Sequence, residues 1–387
     1  MTYFPRSVDQ KRATFLLLCS SSLTVMAGAT IAPALPSIAA NFAGEELLVK
    51  LLLTLPALFV ALGSPFAGLL VDSWGRRPTL FLGFILYALS GTSGLYLETV
   101  NQLLVGRAFL GLSVSLIMTT SVTLVGDYFT GLKRNQFIGW QGGAMAFGGV
   151  IFLLSGGLLA DLGWRMPFWV YLFSLVLLPL AYFVLPEPNK VEKPIGKNRV
   201  PFGLLWPIFL YSFLYYILFY LLPVQVPFYL KTLGEYPDSY GGFALAGMTL
   251  TASVVSVNYG KLKAKFSYSQ LFAFAGLIAS AGYVSIALAE NFTHLIFACA
   301  LAGVGTGLLL PNISAWLVNT APAEVRGKSI GMNSSFIFLG QFTSPILLKP
   351  LMLNYNQATA FLVAGGLLAV SGILFFILNL KPEALKK

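Results

Sequence analysis

Apolar residues run along this chain in long stretches separated by short polar segments. The stretches cover residues 13–34, 51–71, 79–97, 102–126, 136–160, 166–186, 203–230, 241–260, 268–289, 293–318, 329–352 and 358–380. Each approaches or exceeds the roughly 20 residues that carry a helix across a bilayer. In lipid every backbone N–H and C=O needs an internal partner, so spanning segments are helices or closed barrels. Unbroken apolar runs, without alternation, select helices. The pattern predicts an all-α membrane protein with twelve transmembrane helices, and short connections make most consecutive helices antiparallel neighbours. The exception runs from Glu187 to Val200, a polar, basic segment with Pro188 and Pro194. It predicts a linker, 187–200, between an N-terminal six-helix bundle (1–186) and a C-terminal one (201–387).

An internal repeat supports two pseudo-symmetric bundles. Displacing the chain by 192 residues puts Gly68 on Gly260, Leu70 on Leu262, Gly111 on Gly303, Arg134 on Arg326 and Gly139 on Gly331. The first apolar run follows a basic stretch and carries Ala27 and Ala29, a cleavage-like pair. Its removal would break the repeat, so it is read as the first span rather than a leader.

Composition sharpens the class. The chain is 57% apolar and 10% charged, against about a quarter charged for soluble domains. A formal charge of +10 suggests nucleic acid until its placement is considered. Nineteen of the 24 Lys and Arg fall on one side of the predicted topology, leaving Lys50, Arg107, Arg165, Lys231 and Lys349. Short cytoplasmic loops collect such charge, so both termini are expected in the cytoplasm of a multi-pass plasma (inner) membrane protein that binds no nucleic acid. Cys19 and Cys299 lie within apolar runs and read as small buried residues rather than a disulfide.

The most specific stretch is Gly68-Leu-Leu-Val-Asp-Ser-Trp-Gly-Arg-Arg-Pro-Thr-Leu80, a polar loop between the second and third runs. It resembles the signature loop of the major facilitator superfamily, G-x-L-x-D-x-x-G-R-R-x-x-L, at Gly68, Leu70, Asp72, Gly75, Arg76, Arg77 and Leu80. The resemblance implies two six-helix bundles around a central cavity that opens alternately to either side. It also implies a cytoplasmic gate formed by Asp72, Gly75, Arg76, Arg77 and Asp127, with Asp127 pairing with Arg77. Asp72 is expected near the positive end of the helix that follows. The repeated copy, Gly260 to Ser267, has Ala264 for the aspartate and Ser267 for the glycine, so the charged lock is expected mainly in the first half.

The fourth run holds Arg107, and a central arginine costs about 2.5–3.5 kcal/mol to insert. Arg107-Ala-Phe-Leu-Gly111 partly resembles the family's R-x-x-Q-G-x-G motif, which implies proton coupling or substrate handling. The alternative is a side chain snorkelling to the outer surface. The fifth run is glycine-rich and partly resembles the family's antiporter motif: Gly148, Gly156 and Gly157 match, while Phe152-Leu153 replace Gly-Pro. Close helix packing explains those glycines equally well. In the seventh run Tyr211–Tyr215 and Tyr216–Tyr220 are i,i+4 pairs. Tyr215, Tyr216 and Tyr220, with Gln341 of the eleventh run, are candidate substrate contacts. Helix packing and an interfacial aromatic belt are the bland alternative. Gln141 is a weaker candidate.

No Asp or Glu lies in the middle of a predicted span, and the sole His294 sits at a helix end. No phosphate-binding loop is present. Neither metal nor cofactor is expected, and the chain is not read as an enzyme. The reading is a monomeric secondary transporter in the lipid bilayer, resembling the twelve-span drug:proton antiporter branch. It is expected to export small organic molecules by exchange for protons. A lone Arg107 without a buried carboxylate inclines the substrate to neutral or anionic compounds, such as a siderophore. The alternatives are a nutrient or metabolite importer, by symport or facilitated diffusion, and a non-transporting sensor.

Overall fold

The computed structural model describes residues 10–129, 131–187 and 200–378. The chain divides into two compact units, Met1–Lys193 and Pro194–Lys387. Of the predicted linker, only Glu187 and Val200 lie within the described residues. The first unit contains α1 (Gln10–Ala29), α2 (Leu35–Asn41), α3 (Glu46–Ser73), α4 (Arg76–Gly91), α5 (Val100–Tyr128), α6 (Gly131–Leu162) and α7 (Phe173–Val184). The second contains α8 (Phe202–Leu233), α9 (Asp238–Lys263), α10 (Tyr268–Ala287), α11 (Phe292–Thr320), α12 (Arg326–Asn354) and α13 (Gln357–Leu378). Among the described residues, 12 helices are long and apolar enough to cross a membrane.

The displacement of 192 residues recurs in the helix boundaries, for α5 (Val100–Tyr128) corresponds to α11 (Phe292–Thr320) at both ends. The packing recurs with it. In the first unit α5 crosses α3 where a Cβ on Gly111 would lie 2.3 Å from the Pro56 carbonyl. In the second, α11 crosses α9 where one on Gly303 would lie 2.3 Å from that of Met248. Pro56 and Met248 are themselves related by the same displacement.

Local chemistry sets several helix starts. Thr99 with Gln102, and Ser267 with Gln270, form capping boxes at α5 and α10, each satisfying N–H groups that a helix start leaves unpaired. The Asn291 side chain caps α11 by accepting from the His294 N–H at 2.9 Å.

Two of the boundaries that differ from the apolar pattern bear on charged or buried groups. The first run was expected to remain helical to residue 34, but α1 ends at Ala29, and residues 30–34 turn before α2. Pro33 and Pro36 lack the N–H a continuing helix needs. Ile31 N–H bonds to Gly28 O at 3.2 Å rather than to Ala27 O, which leaves the Ala27 carbonyl to other donors. The second span starts at Glu46, not 51, because Glu46 pairs one turn along with Lys50, allowing that lysine to be buried. Arg107 is therefore not the sole charge within a span.

Candidate functional site

The signature loop is built on Gly75, whose φ of +109° is a left-handed conformation that side chains resist. The sharp turn starts α4 at Arg76. The exposed N–H groups of that first turn are taken by a residue the sequence reading did not single out. Arg76 N–H donates to Glu187 Oε1 at 2.6 Å, and Arg77 N–H to Oε2 at 2.8 Å. A carboxylate there satisfies two orphan donors and meets the positive end of the helix dipole. The expectation that Asp72 sits at this end is corrected: Asp72 is exposed on the last turn of α3, and Glu187 holds the place.

The pairing of Asp127 is also corrected. Arg76, not Arg77, donates from Nε to Asp127 Oδ2 at 3.1 Å, with both side chains largely buried. Arg77 turns away, giving an N–H to the Tyr182 carbonyl at 2.7 Å and lying over the Phe81 and Tyr182 rings. Tyr128 donates to the Pro186 carbonyl at 2.6 Å. Arg77, Tyr128 and Glu187 therefore fasten the exit of α7 to the signature loop and to the end of α5.

The second unit keeps this contact without the charge. Tyr268 and Asn319 stand 192 residues after Arg76 and Asp127. Asn319 Nδ2 donates to the Tyr268 hydroxyl at 2.6 Å, and Lys263 Nζ lies 3.9 Å from the centre of its ring. Ser267 caps α10 locally, where α4 relies on distant Glu187.

Arg107 is fully buried in the first unit, at 0% exposure, so it does not snorkel. One guanidinium nitrogen donates to the Tyr171 hydroxyl at 2.9 Å and reaches the Ala27 carbonyl at 3.5 Å. Tyr171 itself donates to the same carbonyl at 2.9 Å. This is the acceptor released where α1 breaks. The guanidinium carbon lies 5.0 and 5.1 Å from the centres of the Phe168 and Tyr171 rings, an attraction that strengthens away from water. Nε and the other terminal nitrogen have no hydrogen-bond partner among the described residues. Such buried, unpaired donors call for an acceptor.

The glycine stripe of α6 packs on α1. A Cβ on Gly148 would meet the Ser22 side chain at 3.1 Å, and one on Gly156 would lie 2.0 Å from the Thr30 carbonyl. Gln141 donates to Ser21 at 2.8 Å, joining the same two helices. Gly157 is buried beside this contact. Gly156→Val is expected to push α6 off the broken end of α1, with an overpacking cost of about 1–3 kcal/mol. Thermal unfolding of the purified protein in detergent measures this. An unchanged midpoint would mean that the two helices are not in contact there.

In the second unit, Tyr216 stacks on Tyr220 (6.5 Å between centres), and Tyr215 and Phe219 complete the cluster. Gln341 of α12 faces the Tyr220 hydroxyl. Tyr211, one turn before Tyr215 on α8, lies edge-on to Phe272 and Phe375. The Tyr215 hydroxyl is buried without a hydrogen-bond partner among the described residues.

Twelve apolar helices, a repeated six-helix plan and this signature loop define a membrane transporter. The chain belongs to the Major Facilitator Superfamily, whose family model matches residues 17–236 and 208–387. Over 387 residues it is 25% identical to "Multidrug resistance protein 2" of Bacillus subtilis (strain 168), with 94% of this chain and 95% of the relative covered. It is also 25% identical to "Multidrug efflux protein YfmO" of the same strain, covering 97% and 95%. Among solved structures it resembles a bacterial homologue of the human lysosomal transporter Spinster, inward-facing and unoccupied. The TM-score is 0.77 at 17% identity, with 96% of each chain covered.

Proposed function

We propose that this chain is a secondary active exporter of small organic molecules, working by alternating access and exchange for protons. It sits in the plasma membrane with both termini in the cytoplasm, where its basic loops collect. Export is supported by the names of the relatives, which are multidrug resistance and efflux proteins. The gate is Asp72, Gly75, Arg76, Arg77 and Asp127, joined by Glu187.

The substrate is neutral or anionic, and a carboxylate-bearing siderophore is of the right chemistry. The observation that carries this reading is Arg107, a buried guanidinium with two nitrogens lacking partners. A guanidinium holds a carboxylate in a two-pronged hydrogen bond. Arg107 is fully buried, so the packing around it has to loosen before a substrate reaches those two nitrogens. Tyr215, Tyr216, Tyr220 and Gln341 offer flat faces with polar tips on the second unit.

Net flux of fluorescent carboxylate-bearing, neutral and cationic compounds across energised cells tests the reading. Outward flux of the first two classes, competed by anions, is expected. Inward flux driven by the proton gradient would instead make the chain an importer.

A further inference from the structure

Away from the gate and the Arg107 hub, Asp238 is the one buried acid among the described residues, with its side chain 2% exposed. It opens α9, three residues before the apolar run at 241 that marks this span in the sequence. Lys231, on the last turn of α8, is its cation, with Nζ 2.9 Å from Asp238 Oδ1. Neither carboxylate oxygen has a hydrogen-bond partner among the described residues. The lysine's own hydrogen bond goes to the Tyr236 carbonyl, at 2.6 Å. Asp238 is therefore held as an anion by one contact, without the donors that usually satisfy a buried carboxylate.

That cation stands on a segment able to bend. Pro223 and Pro227 lie within α8, and each removes an N–H from its ladder. The start of α9 rests on the second of them, for a Cβ on Gly241 would lie 3.5 Å from Pro227. Lys231 follows one turn later and is 36% exposed, so a bend at Pro227 moves its ammonium off Asp238. The carboxylate does not follow, because Tyr240 of the same turn packs on Phe292 of α11 at 4.6 Å. The other titratable groups on these elements supply no second cation among the described residues. Tyr236 and Tyr240 are phenols in ring contact with each other, and Tyr229 of α8 donates to the Ala287 carbonyl. His294 of α11 contacts Ser285 of α10, while Glu235 and Glu290 are exposed acids.

We propose that Lys231 and Asp238 form a proton-operated latch between α8 and α9. It lies at the end of the unit opposite the Gly260 to Ser267 turn, which is outside in the topology proposed above. When α8 bends, the carboxylate is left buried without its cation. It then takes up a proton from water on that side, since a lone buried charge is costly. When the proton leaves, the anion draws Lys231 back and α8 closes on α9. Acid on that side thus favours the bent form.

The test uses the full chain in lipid nanodiscs. Infrared spectra of Lys231→Gln at pH 7 are expected to show the C=O band of a protonated carboxyl. The band should be absent from the parent and from Lys231→Gln/Asp238→Asn. Spin labels at Thr232→Cys and Thr293→Cys, both exposed, then report the distance from α8 to α11. The background is Cys19→Ala, with Cys299 fully buried. One linked proton raises the ratio of separated to close label pairs up to about tenfold for each pH unit lowered. Asp238→Asn, which imitates the protonated group, should fix that ratio at its acid value. A Lys231→Gln spectrum without the band overturns the proposal. So does a ratio that ignores pH in the parent, or one that follows it equally in Asp238→Asn. The parent's own titration keeps the test decisive if a variant fails to fold.

Discussion

Arg107→Ala is expected to lower transport about a hundredfold while leaving the protein inserted and folded. Among the described residues the side chain is the largest of the fully buried ones, and it supplies what the break in α1 lacks. Its bond to Tyr171, at 2.9 Å, is charge-assisted, worth about 1.5–3 kcal/mol. Its position over the Phe168 and Tyr171 rings adds about 2 kcal/mol when desolvated. A transport barrier raised by about 3 kcal/mol corresponds to a rate lowered by a factor of roughly a hundred. Arg107→Lys keeps the charge but neither the planar face nor the fork, and a drop of about tenfold is expected. Initial uptake rates into vesicles carrying equal amounts of folded protein measure both. If both variants transport like the parent, Arg107 serves neither the substrate nor the α1 break.

The second large effect is expected at Arg76 and Asp127. Their side chains are 6% and 13% exposed, so solvent screens the pair little. Removing one partner breaks a largely buried ion pair, at a cost of about 3–5 kcal/mol. Arg76→Ala and Asp127→Ala should each stop most transport, and the double variant should be less impaired than the two losses combined. Arg77→Ala should show no such coupling to Asp127, because its guanidinium bonds to the Tyr182 carbonyl rather than to that carboxylate. Coupling of Asp127 to Arg77 instead would restore the pairing that the family resemblance implied. Glu187→Ala acts on the same loop through the backbone, and loss of such a cap costs about 0.5–2 kcal/mol.

The bundle was legible because its signals are periodic and long. Twelve apolar runs announce twelve spans, and the displacement of 192 residues that aligned isolated glycines also aligns both ends of α5 and α11. The gate was half legible. Gly75, Arg76 and Arg77 form a contiguous pattern, whereas Glu187 reaches them across 111 residues of chain. Its signal was faint but present: an acid opening a predominantly basic segment, directly after Leu185-Pro186. Which arginine meets Asp127 depends on side-chain direction at the first turn of α4, and spacing alone does not encode that.

Arg107 was visible as a charge in an apolar run, but Tyr171 was one tyrosine among 17. Their meeting point required the break in α1. Pro33 and Pro36 were signals for that break, outweighed by an apolar run that continued through them. The neutral Tyr268–Asn319 contact was hidden for a different reason. The repeat preserved its place and geometry while replacing both residue types, so comparison of letters sees decay where the fold retains a bond.

Proton movement in acid-inside vesicles bearing the purified protein tests the central claim most directly. Cationic, neutral and carboxylate-bearing compounds would be added in turn, with Arg107→Ala alongside. The account requires proton efflux on addition of a neutral or carboxylate-bearing compound, and its loss in the variant. Compounds that equilibrate across the membrane with no proton movement would contradict it, leaving a facilitator in place of an antiporter.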